Sequence, residues 1–118
     1  MPLIPIAAVL GVIGVGLGAF GAHGLKGSFD ARAEAWWDTA TFYLLTHAVA
    51  ALAVGLSGRT GEILAGGWAM IGGAIIFSAT LYLMAIGAPR WFGAITPIGG
   101  LALLAGWALI VVGSIRSA

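Results

Sequence analysis

Side chains able to do chemistry are few in this chain, and two histidines, His23 and His47, stand out among them. The absence of cysteine excludes disulfides, thiolate metal ligands and thiol nucleophiles. Two histidines without a convergent carboxylate or thiolate make an incomplete metal site, because a metal centre needs further ligands and their supporting hydrogen bonds. We therefore expect no metal and no cofactor.

Eight polar side chains on the predicted membrane helices or at their ends form a candidate polar site. They are His23, Asp38, Thr39, Tyr43, His47, Ser78, Tyr82 and Thr96. Counting about 1.5 Å per helical residue puts the helix-end members near one membrane face. By the same count Tyr43 and Ser78 lie one or two turns deeper, and His47 lies near the bilayer midplane. This spacing predicts a polar funnel with a histidine at its bottom.

His47 has two interpretations at that depth. Ionisable groups are costly inside a membrane, so it could bind a ligand or handle protons. It could also be a neutral imidazole that is hydrogen-bonded across a helix interface. His23 could make a pH-sensitive contact with Asp38, or could be a helix-end imidazole favoured by the helix dipole. Ser78 and His47 could meet, but no orienting acid lies at their depth, so we expect no catalysis.

The helices that position these side chains are expected to lie in lipid and not in water. Hydrophobic residues make up 61% of the chain and charged residues 8%, and the mean hydropathy is +1.10. Soluble domains carry about 25% charged residues. A net charge of +1 excludes a nucleic-acid partner, since no basic patch would neutralise phosphates.

Four apolar stretches of membrane-spanning length predict an all-α, polytopic four-helix bundle that forms one domain over residues 1–118. The helices are expected at about residues 2–22, 37–56, 62–86 and 97–115. Thr96 followed by Pro97 is a helix start signal. Trp107 falls well inside the fourth helix, so its indole N–H should find a partner in the bundle.

Most of the charge lies between helices one and two, at residues 26–38. Ser28 is a candidate N-cap there, with Asp30 in the first turn near the positive end of the helix dipole. This segment predicts a short interfacial helix, or alternatively the first turns of one long second helix. Trp36 and Trp37 would mark the membrane boundary, because indole rings favour the interface.

Small residues repeat at helical spacing and predict close helix packing. The glycines expected at these contacts are Gly11, Gly14, Gly18, Gly21, Gly73, Gly99 and Gly106. The first helix carries four of them on one face, so we expect it to be the central helix of the bundle.

Four crossings place both chain ends on one side of the membrane. That side carries Arg59 and Arg116, and the other carries Lys26, Arg32 and Arg90. Counting the terminal amine makes the two sides level, so the charge rule leaves the orientation open. We favour both termini in the cytoplasm.

Five short stretches resemble a known family. They are residues 18–25 (GAFGAHGL), 43–48 (YLLTHA), 77–82 (FSATLY), 95–100 (ITPIGG) and 105–107 (AGW). In this order, over nearly the whole chain, they are similar to the YgdD-type small membrane proteins, a domain-of-unknown-function family (DUF423) with eukaryotic transmembrane relatives. The resemblance implies a bacterial inner-membrane protein of four helices, and it implies no activity.

Three functions remain open at this point. The first is a structural or accessory bundle that binds membrane lipid or a partner protein through its glycine faces and polar rim. The second is a small oligomeric transporter or channel that uses the polar face around His47, although every Asp and Glu falls in a loop or at a helix end. The third is an enzyme acting on a membrane lipid or a quinone.

Overall fold

The computed structural model describes residues 2–23 and 27–116, and long helices make up most of this part of the chain. The helices are α1 (Leu3–His23), α2 (Ala31–Ser57), α3 (Gly61–Ala85) and α4 (Thr96–Arg116). A 3₁₀ turn at Arg90–Ala94 precedes α4. All four helices are long and apolar enough to cross a membrane, as their hydrophobic runs predict.

The second helix is longer than the sequence predicts, since α2 begins at Ala31 instead of near residue 37. The expected interfacial segment is therefore the beginning of one long helix, which was the second of the two alternatives. Asp30 is the N-cap, and its Oδ1 accepts a hydrogen bond from the Ala33 backbone N–H at 2.8 Å. The prediction of Ser28 as the cap is wrong, because the Asp30 carboxylate takes the free first-turn donor.

The central helix of the fold is α3, and the expectation that helix one is central is wrong. Thirteen residues of α3 are buried, whereas only four of α1 are. Helix α3 packs along both α2 and α4, while α1 packs mainly on α2. The order α1–α2–α3–α4 therefore forms an open row, and the molecule measures 50 × 26 × 18 Å.

Glycines on α3 and α4 let these two helices touch backbone to backbone. A Cβ at Gly73 would lie 2.8 Å from both the Gly99 carbonyl oxygen and the Leu103 nitrogen. A Cβ at Gly106 would lie 2.9 Å from the Gly66 carbonyl oxygen. Side chains larger than hydrogen would push the helices apart, so small residues define this interface.

Glycines on α1 make room for side chains of α2. Leu45 lies over Gly14, Thr41 lies 3.0 Å from the Cβ position of Gly18, and the Trp37 indole lies against Gly21. Gly11 was expected to pack in the same way, but no atom lies within 4 Å of its Cβ position. The structure thus places Gly11 outside the helix contacts, because the α1–α2 interface follows the stripe through Gly14 and Gly21.

The start of α1, the α2–α3 turn and the end of α4 lie at the same end of the molecule. Ile4 packs against Gly55, and Arg116 forms an ion pair with Glu62, with Nη1 and Oε2 2.6 Å apart. Four crossings with antiparallel neighbours produce this arrangement.

Candidate functional site

His47 lies near the middle of α2 and is 6% exposed. Its Nε2 lies 3.1 Å from Trp107 Nε1 on α4, and its Nδ1 lies 2.8 Å from the Tyr43 carbonyl oxygen. An indole N–H can only donate, so Nε2 accepts and the proton of the imidazole is on Nδ1. His47 is therefore a neutral ring with both nitrogens hydrogen-bonded, one of them across the helix interface. The Trp107 indole N–H, which was expected to find a partner in the bundle, donates to His47.

A second set of polar contacts joins α1, α2 and α3. Trp37 Nε1 donates to the Leu17 carbonyl oxygen at 2.8 Å, and Thr41 Oγ1 lies 2.6 Å from the Tyr82 hydroxyl. The rings of Trp37 and Tyr82 meet edge to face with centroids 4.5 Å apart. The indole reaches the α1 backbone because Gly21 presents no side chain in its path.

A third set lies where α3 faces the beginning of α4. Thr80 Oγ1 lies 2.6 Å from Thr96 Oγ1, and Thr96 also donates to the Phe92 carbonyl oxygen at 3.3 Å. Ser78 is buried and donates to the Ala74 carbonyl oxygen one turn earlier in its own helix. These hydroxyls are satisfied by helix carbonyls or by each other.

The eight candidate side chains are not gathered into one funnel. His47, Ser78, Tyr82 and Thr96 are buried and belong to separate hydrogen-bonded sets. By contrast His23, Asp38 and Thr39 are exposed. No hydrogen bond or ion pair links His23 to Asp38 within the described parts of the chain. Depth along each helix was a usable guide, but the rotation of each helix about its axis decides which side chains meet.

Three polar residues of these sets were absent from the sequence-based candidates: Thr41, Thr80 and Trp37. Helical spacing gave a signal for the first, since Thr41 lies four residues after Trp37 and therefore on the same face of α2. No sequence signal pairs Thr80 with Thr96, because that contact depends on the packing of α3 against α4.

An open groove with a volume of about 530 Å³ lies over α3, between α2 and α4. We call it the α2–α4 groove. Its lining residues are Tyr43, His47, Phe77, Pro97, Gly100, Leu101, Leu103, Leu104 and Trp107. The His47–Trp107 hydrogen bond crosses from one wall to the other. Volumes of a few hundred cubic ångströms with mostly apolar walls are typical of small-molecule sites.

The groove is rich in aromatic rings. Tyr43 stacks on His47 with centroids 5.8 Å apart, and it meets Phe77 at 4.4 Å. None of the lining residues carries a formal charge once His47 is neutral. Within the described residues, no group of three or more His, Asp or Glu side chains is placed to hold a metal ion.

Comparison with known proteins gives a consistent result. Residues 17–100 match the family model described as "Protein of unknown function (DUF423)". The UPF0382 membrane protein YwdK of Bacillus subtilis is 40% identical over 118 residues, covering 96% of this chain and 95% of the relative. The UPF0382 membrane protein SSP2132 of Staphylococcus saprophyticus is 38% identical over 115 residues, covering 96% of each chain.

A UPF0382 membrane protein of the yeast Schizosaccharomyces pombe is 39% identical over 118 residues, covering 95% of this chain and all of the relative. No solved structure matches. The matches extend over nearly the full length of the chain, and the relatives share its membrane character by name. These findings confirm the resemblance seen in the sequence motifs, and the chain belongs to the DUF423 (UPF0382) family of multi-pass integral membrane proteins of unknown function.

Proposed function

We propose that this protein is a non-catalytic accessory bundle that binds a molecule of the lipid phase in the α2–α4 groove. The observation that carries the proposal is the groove itself, which has about 530 Å³ of space and uncharged, largely apolar walls. Both walls are membrane-spanning helices, so bilayer components have lateral access to it. A pocket of this size and lining suits an apolar ligand with few polar atoms.

The polar contacts support a structural role for the buried hydroxyls and the imidazole. In residues 2–23 and 27–116, no buried side-chain nitrogen or oxygen lacks a hydrogen-bond partner. Both His47 nitrogens are engaged, so the ring has no free lone pair to accept a proton from a substrate. A nucleophile–base pair needs the two groups within hydrogen-bond reach, and Ser78 instead donates to Ala74.

The alternative of an oligomeric transporter or channel would require a polar path between copies of the chain. Proton-coupled transport of cations normally uses a carboxylate within the membrane. Here Glu62 is in the first turn of α3 and pairs with Arg116, while Asp38 is exposed near the charged beginning of α2. The proposed partners are accordingly membrane lipids, with a second copy or another membrane protein as a further partner on the exposed faces.

Native mass spectrometry of protein extracted in mild detergent tests the proposed binding. We expect the wild-type chain to retain one lipid-phase molecule. Gly100→Leu should abolish retention, because Gly100 lines the groove and its added side chain would enter it beside Phe77. Gly72→Leu is the matched control, since nothing lies within 4 Å of its Cβ position. Equal retention by both variants, or none by the wild type, would contradict the proposal.

For the location, we propose a bacterial inner membrane with both chain ends in the cytoplasm. The end that bears the start of α1 and the end of α4 carries Arg59 and Arg116, which lie close together beside the α2–α3 turn. Carboxylates weigh little in the positive-inside rule, so these two arginines are the support for the proposed orientation. Reporter fusions at the end of α4 test this orientation: a fluorescent protein should be active there, and an active periplasmic phosphatase would contradict it.

A further inference from the structure

Tyr43, which lines the α2–α4 groove, carries a hydroxyl that the protein does not satisfy. Among the described residues, the Tyr43 hydroxyl has no hydrogen-bond partner, whereas the hydroxyl of Tyr82 is bonded to Thr41. Tyr43 is 36% exposed and lines the groove. A phenol that meets hydrocarbon without a partner is unfavourable, so an acceptor supplied by a ligand would stabilise it.

The depth of Tyr43 restricts what such a ligand can be. Tyr43 lies five residues after the exposed Asp38 on α2, which is about 7.5 Å deeper at the helical rise. This is the depth at which the polar headgroup region gives way to hydrocarbon. A lipid-phase molecule with an uncharged carbonyl can bring an acceptor to this level from the open side of the groove.

The walls favour a flat, uncharged ring. Phe77 and Trp107 lie on the groove, and Tyr43 is held at 4.4 Å from Phe77 by ring contact. Aromatic side chains pack well in offset or edge-on geometry against another conjugated ring. With no charged residue in the lining, a charged headgroup would lose its water without gaining a counter-ion.

We propose that the α2–α4 groove binds a quinone-class lipid, whose planar ring lies among the aromatic walls and whose carbonyl accepts a hydrogen bond from Tyr43. The proposal rests on the proposed function and deepens it by naming the ligand class. It involves binding alone, with no electron or proton transfer. The hydrocarbon tail would leave through the open side of the groove toward the bilayer.

The test is a titration of decylubiquinone into protein held in lipid nanodiscs and labelled with 5-fluorotryptophan. The chain has five tryptophans, so five fluorine resonances are expected, and Trp107→Phe assigns the one in the groove. Decylubiquinone should shift the Trp107 resonance in a saturable way. Decylbenzene, which has the same tail and a six-membered ring but neither carbonyl nor methoxy groups, should bind at least roughly threefold to tenfold more weakly, since it cannot accept the Tyr43 hydrogen bond.

Three variants complete the test. Tyr43→Phe keeps the ring and should weaken decylubiquinone by the same roughly threefold to tenfold. Gly100→Leu should abolish the shift, and Gly72→Leu should leave it unchanged. If decylbenzene binds as tightly as decylubiquinone and Tyr43→Phe has no effect, the quinone inference is overturned while lipid binding in the groove stands. If neither probe shifts Trp107 and no lipid is retained on extraction, both proposals fail.

Discussion

Trp107 and His47 join two membrane helices through a hydrogen bond that also fixes the tautomer of the imidazole. The Trp107 N–H donates to Nε2, which leaves Nδ1–H to donate to the Tyr43 carbonyl oxygen. A protonated ring has no lone pair on Nε2 and would lose this bond. His47 thus acts at the residue scale as a neutral connector between α2 and α4.

Replacing Trp107 by Phe should lower the free energy of unfolding by about 1 kcal/mol, the usual size of a hydrogen bond between membrane helices. The aromatic ring remains, but Nε2 of His47 loses its donor. The measurement is reversible unfolding in mixed micelles. Trp91→Phe is the control, because Trp91 is 65% exposed and its ring packs edge to face on that of Phe92. Equal stability of the two variants would show that the Trp107–His47 bond contributes nothing.

At this scale the sequence predicted the need for a Trp107 partner but not its identity. The N–H of an indole deep in a membrane helix needs a hydrogen-bond acceptor from the protein, because no water is present there. His47 as that acceptor depends on how α4 is rotated on α3, and no spacing within either helix contains that information. The exposed positions of His23 and Asp38 depend on rotation in the same way.

At the scale of the helix pair, the positions of the glycines determine where the backbones of α3 and α4 touch. Gly73 and Gly72 are neighbours on α3, yet only Gly73 faces the α4 backbone. A Cβ at Gly73 would meet main-chain atoms, which cannot turn aside as the end of a side chain can. The α3–α4 pair is therefore sensitive to a single methyl group at one of these two positions.

Gly73→Ala should lower the free energy of unfolding by about 1–3 kcal/mol, as expected for overpacking a close contact. Gly72→Ala should leave stability unchanged or raise it, because alanine is the better helix former and the position is open. The same micelle unfolding measurement compares the two. A smaller loss for Gly73→Ala than for Gly72→Ala would mean that α3 and α4 do not pack through this face.

Sequence patterns located all four helices, and the one helix end that was placed wrongly by several residues is the start of α2. Hydrophobic length predicted α1, α3 and α4 to within a residue or so of their bounds. The start of α2 was placed too late, because the cluster of charge over residues 26–38 suggested a separate interfacial segment. The Asp30 cap at Ala33 makes that stretch the continuous beginning of α2.

The whole molecule is an open row of helices, and this shape creates the α2–α4 groove. Helix α4 packs on α3, so α2 and α4 remain separated over part of their length and share α3 as a floor. Glycine patterns could not distinguish this row from a closed bundle, since small faces on α1 and α4 suit either arrangement. Burial of α3 on both sides settles the order.

The central claim is that the groove is filled from the lipid phase and not by water. Because the chain contains no cysteine, a single one can be introduced and spin-labelled without background. Leu104 lines the groove and is 66% exposed, while Ala105 is exposed at nearly the same depth on another face of α4. Thr60, in the α2–α3 turn, provides a reference position at the end of the molecule.

Electron paramagnetic resonance of these labels in bilayers compares relaxation by oxygen, which concentrates in lipid, with relaxation by a water-soluble nickel chelate. We expect labels at Leu104→Cys and Ala105→Cys to respond to oxygen and to resist the chelate, while Thr60→Cys responds to the chelate. Chelate access at Leu104→Cys but not at Ala105→Cys would reveal a water-filled path beside His47. That result would contradict a lipid-binding bundle and support a channel.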